Sequence, residues 1–120
     1  MSNAEARARA DPAAVFAALG DPTRLALLRT LSDGRARSIS ALSEGSALTR
    51  QAVTKHLDVL ARVGLVRRAR VGRESRFTYR PEPIAQARAY LDTVSAQWHD
   101  ALTRLRAHVE GSSSPKGEGS

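Results

Sequence analysis

The stretch Leu48-Thr49-Arg50-Gln51-Ala52-Val53-Thr54-Lys55-His56-Leu57-Asp58-Val59-Leu60 decides the fold. Thr49 is an N-cap, a residue whose hydroxyl accepts a backbone N–H from the first turn of the helix it opens. That helix is expected to run to about Val63, where Gly64 stops it. Val53, Leu57 and Leu60, with Ala61, recur at steps of three and four and form its inner face. Gln51, Thr54, Lys55, Asp58 and Arg62 form the outer face. The polar start of such a helix suits the major groove of duplex DNA, which is about 12 Å wide.

Upstream, Ser40 is expected to cap a brief helix around Ala41 to Glu44, with Leu42 as its inward anchor and Gly45 as its end. A short helix joined by a tight turn to a second, polar-fronted one is the helix-turn-helix arrangement. Arg37-Ser38-Ile39 reads as a short extended piece. Further back, Asp11-Pro12 and Asp21-Pro22 each place a capping carboxylate before a proline in the first helical turn. The first of these helices carries Val15, Phe16 and Leu19 and ends at Gly20. The second runs through Leu31, with Leu25, Leu28 and Leu31 expected as its buried face.

Downstream the period changes from helical to strand-like. Leu65–Arg70 and Ser75–Arg80 flank Val71-Gly72-Arg73-Glu74, a hairpin with Gly72 supplying the turn geometry. Phe77 and Tyr79 alternate with polar residues and are read as the core at the base of this wing. Pro81-Glu82-Pro83 breaks the strand, and a long helix is expected from Ile84 to about Glu110. Ile84, Ala87, Leu91, Val94, Trp98, Ala101 and Leu105 lie on it at alternating steps of three and four, a seam at heptad spacing. The expected organisation is a flexible arm over residues 1–10, one domain over 11–110 and a disordered tail over 111–120. The fold class is mainly α with a small β-hairpin wing: a winged helix-turn-helix of about five helices, with a long C-terminal helix.

Composition narrows the function. The chain has 120 residues, room for one domain, and a formal net charge of +7. From Arg35 to Arg80 there are eleven cations against Glu44, Asp58 and Glu74 alone, so one contiguous stretch holds the whole imbalance. A concentrated basic surface of this kind faces a polyanion, most often nucleic acid; the plainer alternative is a solvated arginine-rich face. Turns interrupt the basic stretch and it lacks the form of one amphipathic helix, which weighs against a membrane surface. No stretch approaches the roughly 18 apolar residues that a bilayer span needs. The N-terminus shows no apolar export core, so a cytoplasmic protein is expected. With no cysteine, disulfides, thiolate metal sites and thiol catalysis are excluded. Nor is there a glycine-rich phosphate loop or an ordered Ser/His/Asp set, so no enzyme is expected.

Candidate contacts divide by position. Thr49, Arg50, Gln51, Thr54 and Lys55 can reach base edges or flanking phosphates; Arg50 could fork onto guanine and Gln51 onto adenine. Arg68, Arg70, Arg73 and Arg76 are placed for charge neutralisation, which gives affinity with little sequence information. The duller alternatives are that Gln51 and Thr54 are solvated helix residues and that Arg68 or Arg70 only covers its own sheet. His56 reads as packing or bonding locally rather than holding a metal, and Asp21 and Asp33 as a cap and a turn.

The run Leu19-Gly20-Asp21-Pro22-Thr23-Arg24-Leu25 followed by Leu28, the Leu48–Leu60 stretch, and Gly64-Leu65-Val66 with Gly72-Arg73 and Tyr79 together resemble the ArsR-type (arsenical-resistance-repressor) winged helix-turn-helix regulators. The likeness covers roughly Val15 to Tyr79. It implies a homodimeric, operator-binding repressor whose dimer is built from the first and last helices, here Val15, Phe16, Leu91, Val94, Trp98 and Leu105. The heptad-like seam agrees independently. Many members of that family sense metals through a cysteine-bearing short helix, which corresponds here to Ile39-Ser40-Ala41-Leu42-Ser43 and has no thiol. The last helix does not reproduce the family's Asp, His and Glu spacing, and His99 and His108 are off the i, i+4 step that would place two ligands on one helix face. Asp92, Asp100 and Glu110 read as polar surface. No metal site and no cofactor are therefore expected. The partners expected are double-stranded DNA and a second copy of the chain, with no membrane. No inducer, operator sequence or direction of regulation is read from these residues; repression is what the resemblance implies. The competing reading is an architectural DNA-binding or protein-interaction winged helix without sequence-specific regulation.

Overall fold

The computed structural model describes residues 11–117, with side chains through Gly111. The expected arm over 1–10 lies outside the described residues, as does the end of the expected tail. The described chain divides after Ala87 into a winged helix-turn-helix unit and the remainder of the last helix.

Four short helices open the first unit, and each begins at a side chain that accepts a first-turn N–H. Asp11 accepts from Ala14 and opens α1, Pro12–Leu19. Asp21 accepts from Arg24 at 2.9 Å and opens α2, Pro22–Leu31. Ser38, rather than the expected Ser40, accepts from Ala41 and opens α3, Ile39–Glu44. The cap moves because Ser38 is still extended and paired in a strand, whereas Ser40 already lies inside the first turn. Thr49 accepts from Ala52 at 3.0 Å and opens α4, Arg50–Arg62. At the far end of α4 the N–H of Leu65 reaches the carbonyl of Leu60 and that of Gly64 reaches Ala61, with Gly64 at φ +80°. This is a Schellman stop, which needs the left-handed conformation that glycine adopts without a Cβ penalty.

The three strands are β1 (Arg37–Ser38), β2 (Val66–Val71) and β3 (Glu74–Tyr79). They form one antiparallel sheet in the order β1-β3-β2. The hairpin between β2 and β3 has Val71 opposite Glu74, leaving a two-residue turn of Gly72 and Arg73. Gly72 sits at φ +64° while Arg73 does not have positive φ, the pattern of a type II′ turn. The extended piece at Arg37-Ser38 is thus a third strand, paired with Phe77 and Arg76.

Val53, Leu57, Leu60, Leu65 and Phe77 are fully enclosed and meet Val15, Ala18, Leu28, Leu31 and Leu42 in one core. Burying each such aliphatic side chain contributes roughly 1.5–3 kcal/mol. Phe77 and the half-buried Tyr79 occupy the wing base as expected. On α2 the inner face is Leu27, Leu28 and Leu31, whereas Leu25 is 40% exposed. Leu27 and Leu31, one turn apart, set that face, and Leu25 falls outside its arc. Val15, expected at a subunit contact, is instead part of this core, and Phe16 packs partly against it.

The last helix, α5, spans Glu82–Gly117. The helix begins two residues before the expected Ile84 and continues seven beyond the expected Glu110. Ala87 on its first turns is buried. Beyond Arg88 it exposes Leu91, Trp98, Leu102 and Leu105, with Trp98 at 64%, while Val94 is half-buried.

Candidate nucleic-acid interface

The start of α4 presents its polar residues outward because Val53, Leu57 and Leu60 hold the opposite face in the core. Arg50, Gln51, Thr54 and Lys55 line an open cleft of about 480 Å³ with Ile39. The Thr54 hydroxyl donates to the Arg50 carbonyl at 2.8 Å, so its methyl group and an oxygen lone pair are what it can offer a base. Thr49 is occupied as the cap.

A second cleft, of about 200 Å³, adjoins the first through Arg50. It is lined by Arg50, Arg73, Glu74, Ser75 and the segment Ser38–Ser40. The wing turn and α4 therefore share one recess. This juxtaposition is invisible in the sequence because it depends on β1 pairing with β3 and running directly into α3.

The other wing cations differ in placement. Arg70 is exposed. The Arg76 Nε lies 3.1 Å from Glu74 Oε1, within its own strand. Arg68 lies over the Phe77 ring, 5.5 Å from its centroid, donates toward Ser75 Oγ at 3.3 Å and approaches Asp58 Oδ1 at 3.7 Å. Arg68 thus lies against its own sheet. Arg37, counted within the basic stretch, is engaged elsewhere: it holds both Asp33 oxygens at 2.9 and 2.8 Å and donates to the Thr30 carbonyl. The Arg37 hydrogen bonds, aided by the Arg35 N–H, hold the Asp33 carboxyl well below the usual carboxylate range, and the same contact raises Arg37. Asp33 is thus a turn residue, as expected, with an additional partner that the sequence did not reveal.

His56 contacts α2 and its cap, not its own neighbours along the chain. Its Nδ1 is 3.5 Å from Arg24 Nη1 and 3.8 Å from Asp21 Oδ2. Arg24 also donates to the Ala18 carbonyl at 2.7 Å and to Ala17 at 3.3 Å, joining the end of α1 to α4. The N–H that Asp21 accepts from Arg24, more than the nearby charges, lowers the carboxyl. Among the described residues no group of three or more His, Cys, Asp or Glu is arranged to hold a metal ion, and no helix is long and apolar enough to cross a membrane.

A helix-turn-helix whose second helix shares a recess with the tip of an arginine-bearing β-hairpin defines the winged helix-turn-helix class. Comparison with known proteins agrees. A helix-turn-helix domain family matches residues 19–69. The HTH-type transcriptional regulator YuzN of Bacillus subtilis (strain 168) is 36% identical over 77 residues, which cover 59% of this chain and 84% of that protein. The structure of an ArsR-like transcriptional regulator from Rhodococcus sp. RHA1 superposes with a TM-score of 0.70 at 35% identity, covering 79% of this chain and 89% of that one. Another ArsR family transcriptional regulator gives a TM-score of 0.65 at 30% identity, covering 72% of this chain and 88% of its own. The chain belongs to the ArsR-like family of helix-turn-helix transcriptional regulators.

Proposed function

We propose that the protein is a homodimeric repressor that binds a palindromic operator through α4 and the wing, within a working region of residues 11–110. The observation that carries this reading is the shared recess: Arg50, Gln51, Thr54 and Lys55 line one cleft, and Arg50 and Arg73 line the next. Helix and wing then meet the duplex together, Gln51 and Arg50 at base edges and Arg73, with Arg70, at phosphates. Repression is supported by one structural relative of 25% identity and TM-score 0.52, which is an antimony-specific transcriptional repressor. The antimony specificity is not carried over, because soft ions take thiolate ligands and this chain has no cysteine.

The dimer rests on α5, where Leu91, Trp98, Leu102 and Leu105 are more than half exposed and lie at helical spacing. Exposed apolar residues gathered on one helix mark an interaction surface. Two copies related by a two-fold axis place their α4 helices in successive major grooves, with half-sites about 34 Å apart. Binding to duplexes from the protein's own promoter region is measured against scrambled duplexes at physiological salt. The expected preference is at least about a thousandfold. Equal affinity for both would instead favour an architectural DNA-coating role.

A further inference from the structure

We propose that Arg68 is a positioning residue: its guanidinium is a strut that sets the wing against the recognition helix, and it does not neutralise a phosphate. This rests on the DNA-binding role assigned to α4 and the wing.

In the β2–β3 register Arg68 stands opposite Phe77, so the two side chains leave the sheet on one face, the face by which Phe77 enters the core. The guanidinium lies over the Phe77 ring at 5.5 Å. Its Nε donates to Ser75 Oγ at 3.3 Å, across the hairpin. Its Nη1 lies 3.7 Å from Asp58 Oδ1, across to α4. One planar group therefore touches the wing base, the opposite strand and the recognition helix. A surface ion pair taken alone stabilises little; here the planar fork adds a ring contact and a hydrogen bond that a lysine ammonium cannot reproduce in the same geometry.

Among the described residues, Asp58 has Arg68 as its ion-pair partner. It is the one acidic residue of α4 and lies a turn beyond Thr54 on the outer face. A bare carboxylate beside a DNA-facing surface repels phosphate. Paired with Arg68, it becomes the anchor for the wing. Arg73, at the turn, and Arg70 remain as the hairpin's phosphate-facing cations.

The two roles predict opposite signs. In full-length protein, Arg68→Lys keeps the charge and Asp58→Asn removes a repulsive one, so a purely electrostatic role leaves the first near wild type and makes the second bind tighter. The strut predicts that each weakens binding to a cognate duplex three- to tenfold. It also predicts that the double variant is no weaker than the worse single one, and that the slope of log affinity against log salt is unchanged. Arg73→Ala, by contrast, lowers that slope by about 0.9. In the free protein, amide hydrogen exchange across β2 and β3 accelerates in both Arg68→Lys and Asp58→Asn. Arg68→Lys indistinguishable from wild type, tighter binding by Asp58→Asn, or a slope loss in Arg68→Ala equal to that of Arg73→Ala would each overturn the strut. The exchange experiment needs no DNA. It therefore separates failure of the strut from failure of the DNA-binding reading, which a wild type indifferent to duplex would show on its own.

Discussion

At the scale of single residues, the cations of the basic stretch do not do one job. Arg37 clamps Asp33, Arg68 braces the hairpin, and Arg50 and Arg73 face a common recess. Replacing Arg73 with Ala is expected to weaken binding to all sequences alike and reduce the salt dependence by about one phosphate contact. Replacing Gln51 with Ala should instead relax discrimination at one base pair, by roughly 1–3 kcal/mol. Equal, sequence-blind losses from both would remove Gln51 from the reading surface. Asp33 offers a test without DNA. Its carboxyl is depressed in the folded state, so the unfolded chain binds the proton more readily and stability rises with pH across this window. The contribution is complete above the unfolded carboxylate value near 4 and is lost as pH falls toward the folded one. Asp33→Asn should be less stable at neutral pH and show a flatter fall in urea midpoint below about pH 5. Some slope should persist, because Asp21 is shifted in the same direction. The Asp33 turn could be read from its neighbours. Its hold on Arg37 could not, because an aspartate in a turn has many possible partners and only the strand at Arg37 brings this one into reach.

At the scale of elements, what could be read in the sequence was what is local. Asp-Pro pairs, the Thr49 cap, Gly64 and Gly72 each act within a turn or so of where they stand, and the structure puts the helix ends and the hairpin tip at them. What could not be read depends on partners distant in the chain: the pairing of β1 with β3, the choice of Leu27 over Leu25, and the recess shared by Arg50 and Arg73. The wing turn permits an element-level test. A Cβ at Gly72 meets nothing within 4 Å, so Gly72→Ala introduces backbone strain without a clash. With φ at +64° the strain is about 1–2 kcal/mol. Because the core lies at the other end of the hairpin, the cost should appear as faster exchange of the tip amides and weaker DNA binding, with the thermal midpoint lowered only modestly. An unchanged affinity would show that the tip does not touch the duplex.

At the scale of the whole molecule, the apolar side chains of α5 bear on oligomeric state. Trp98→Asp puts a charge in place of the most exposed large apolar side chain of the described chain. If α5 forms the subunit contact, the change should cost roughly 2 kcal/mol or more of association free energy. That is a rise of about thirtyfold or more in the dimer dissociation constant by sedimentation equilibrium. A dimer that survives the substitution would move the contact off this helix.

The strand order has a consequence for synthesis on the ribosome. The middle strand, β3, is the last of the three to be made, and it supplies both the partner of Arg37-Ser38 and the Phe77 ring. Until Tyr79 has left the exit tunnel, an emerging chain holds the complete α4 but lacks the central strand and the aromatic plug. A chain ending anywhere before Tyr79 is therefore expected to leave this core open and to be cut by proteases faster than the full chain.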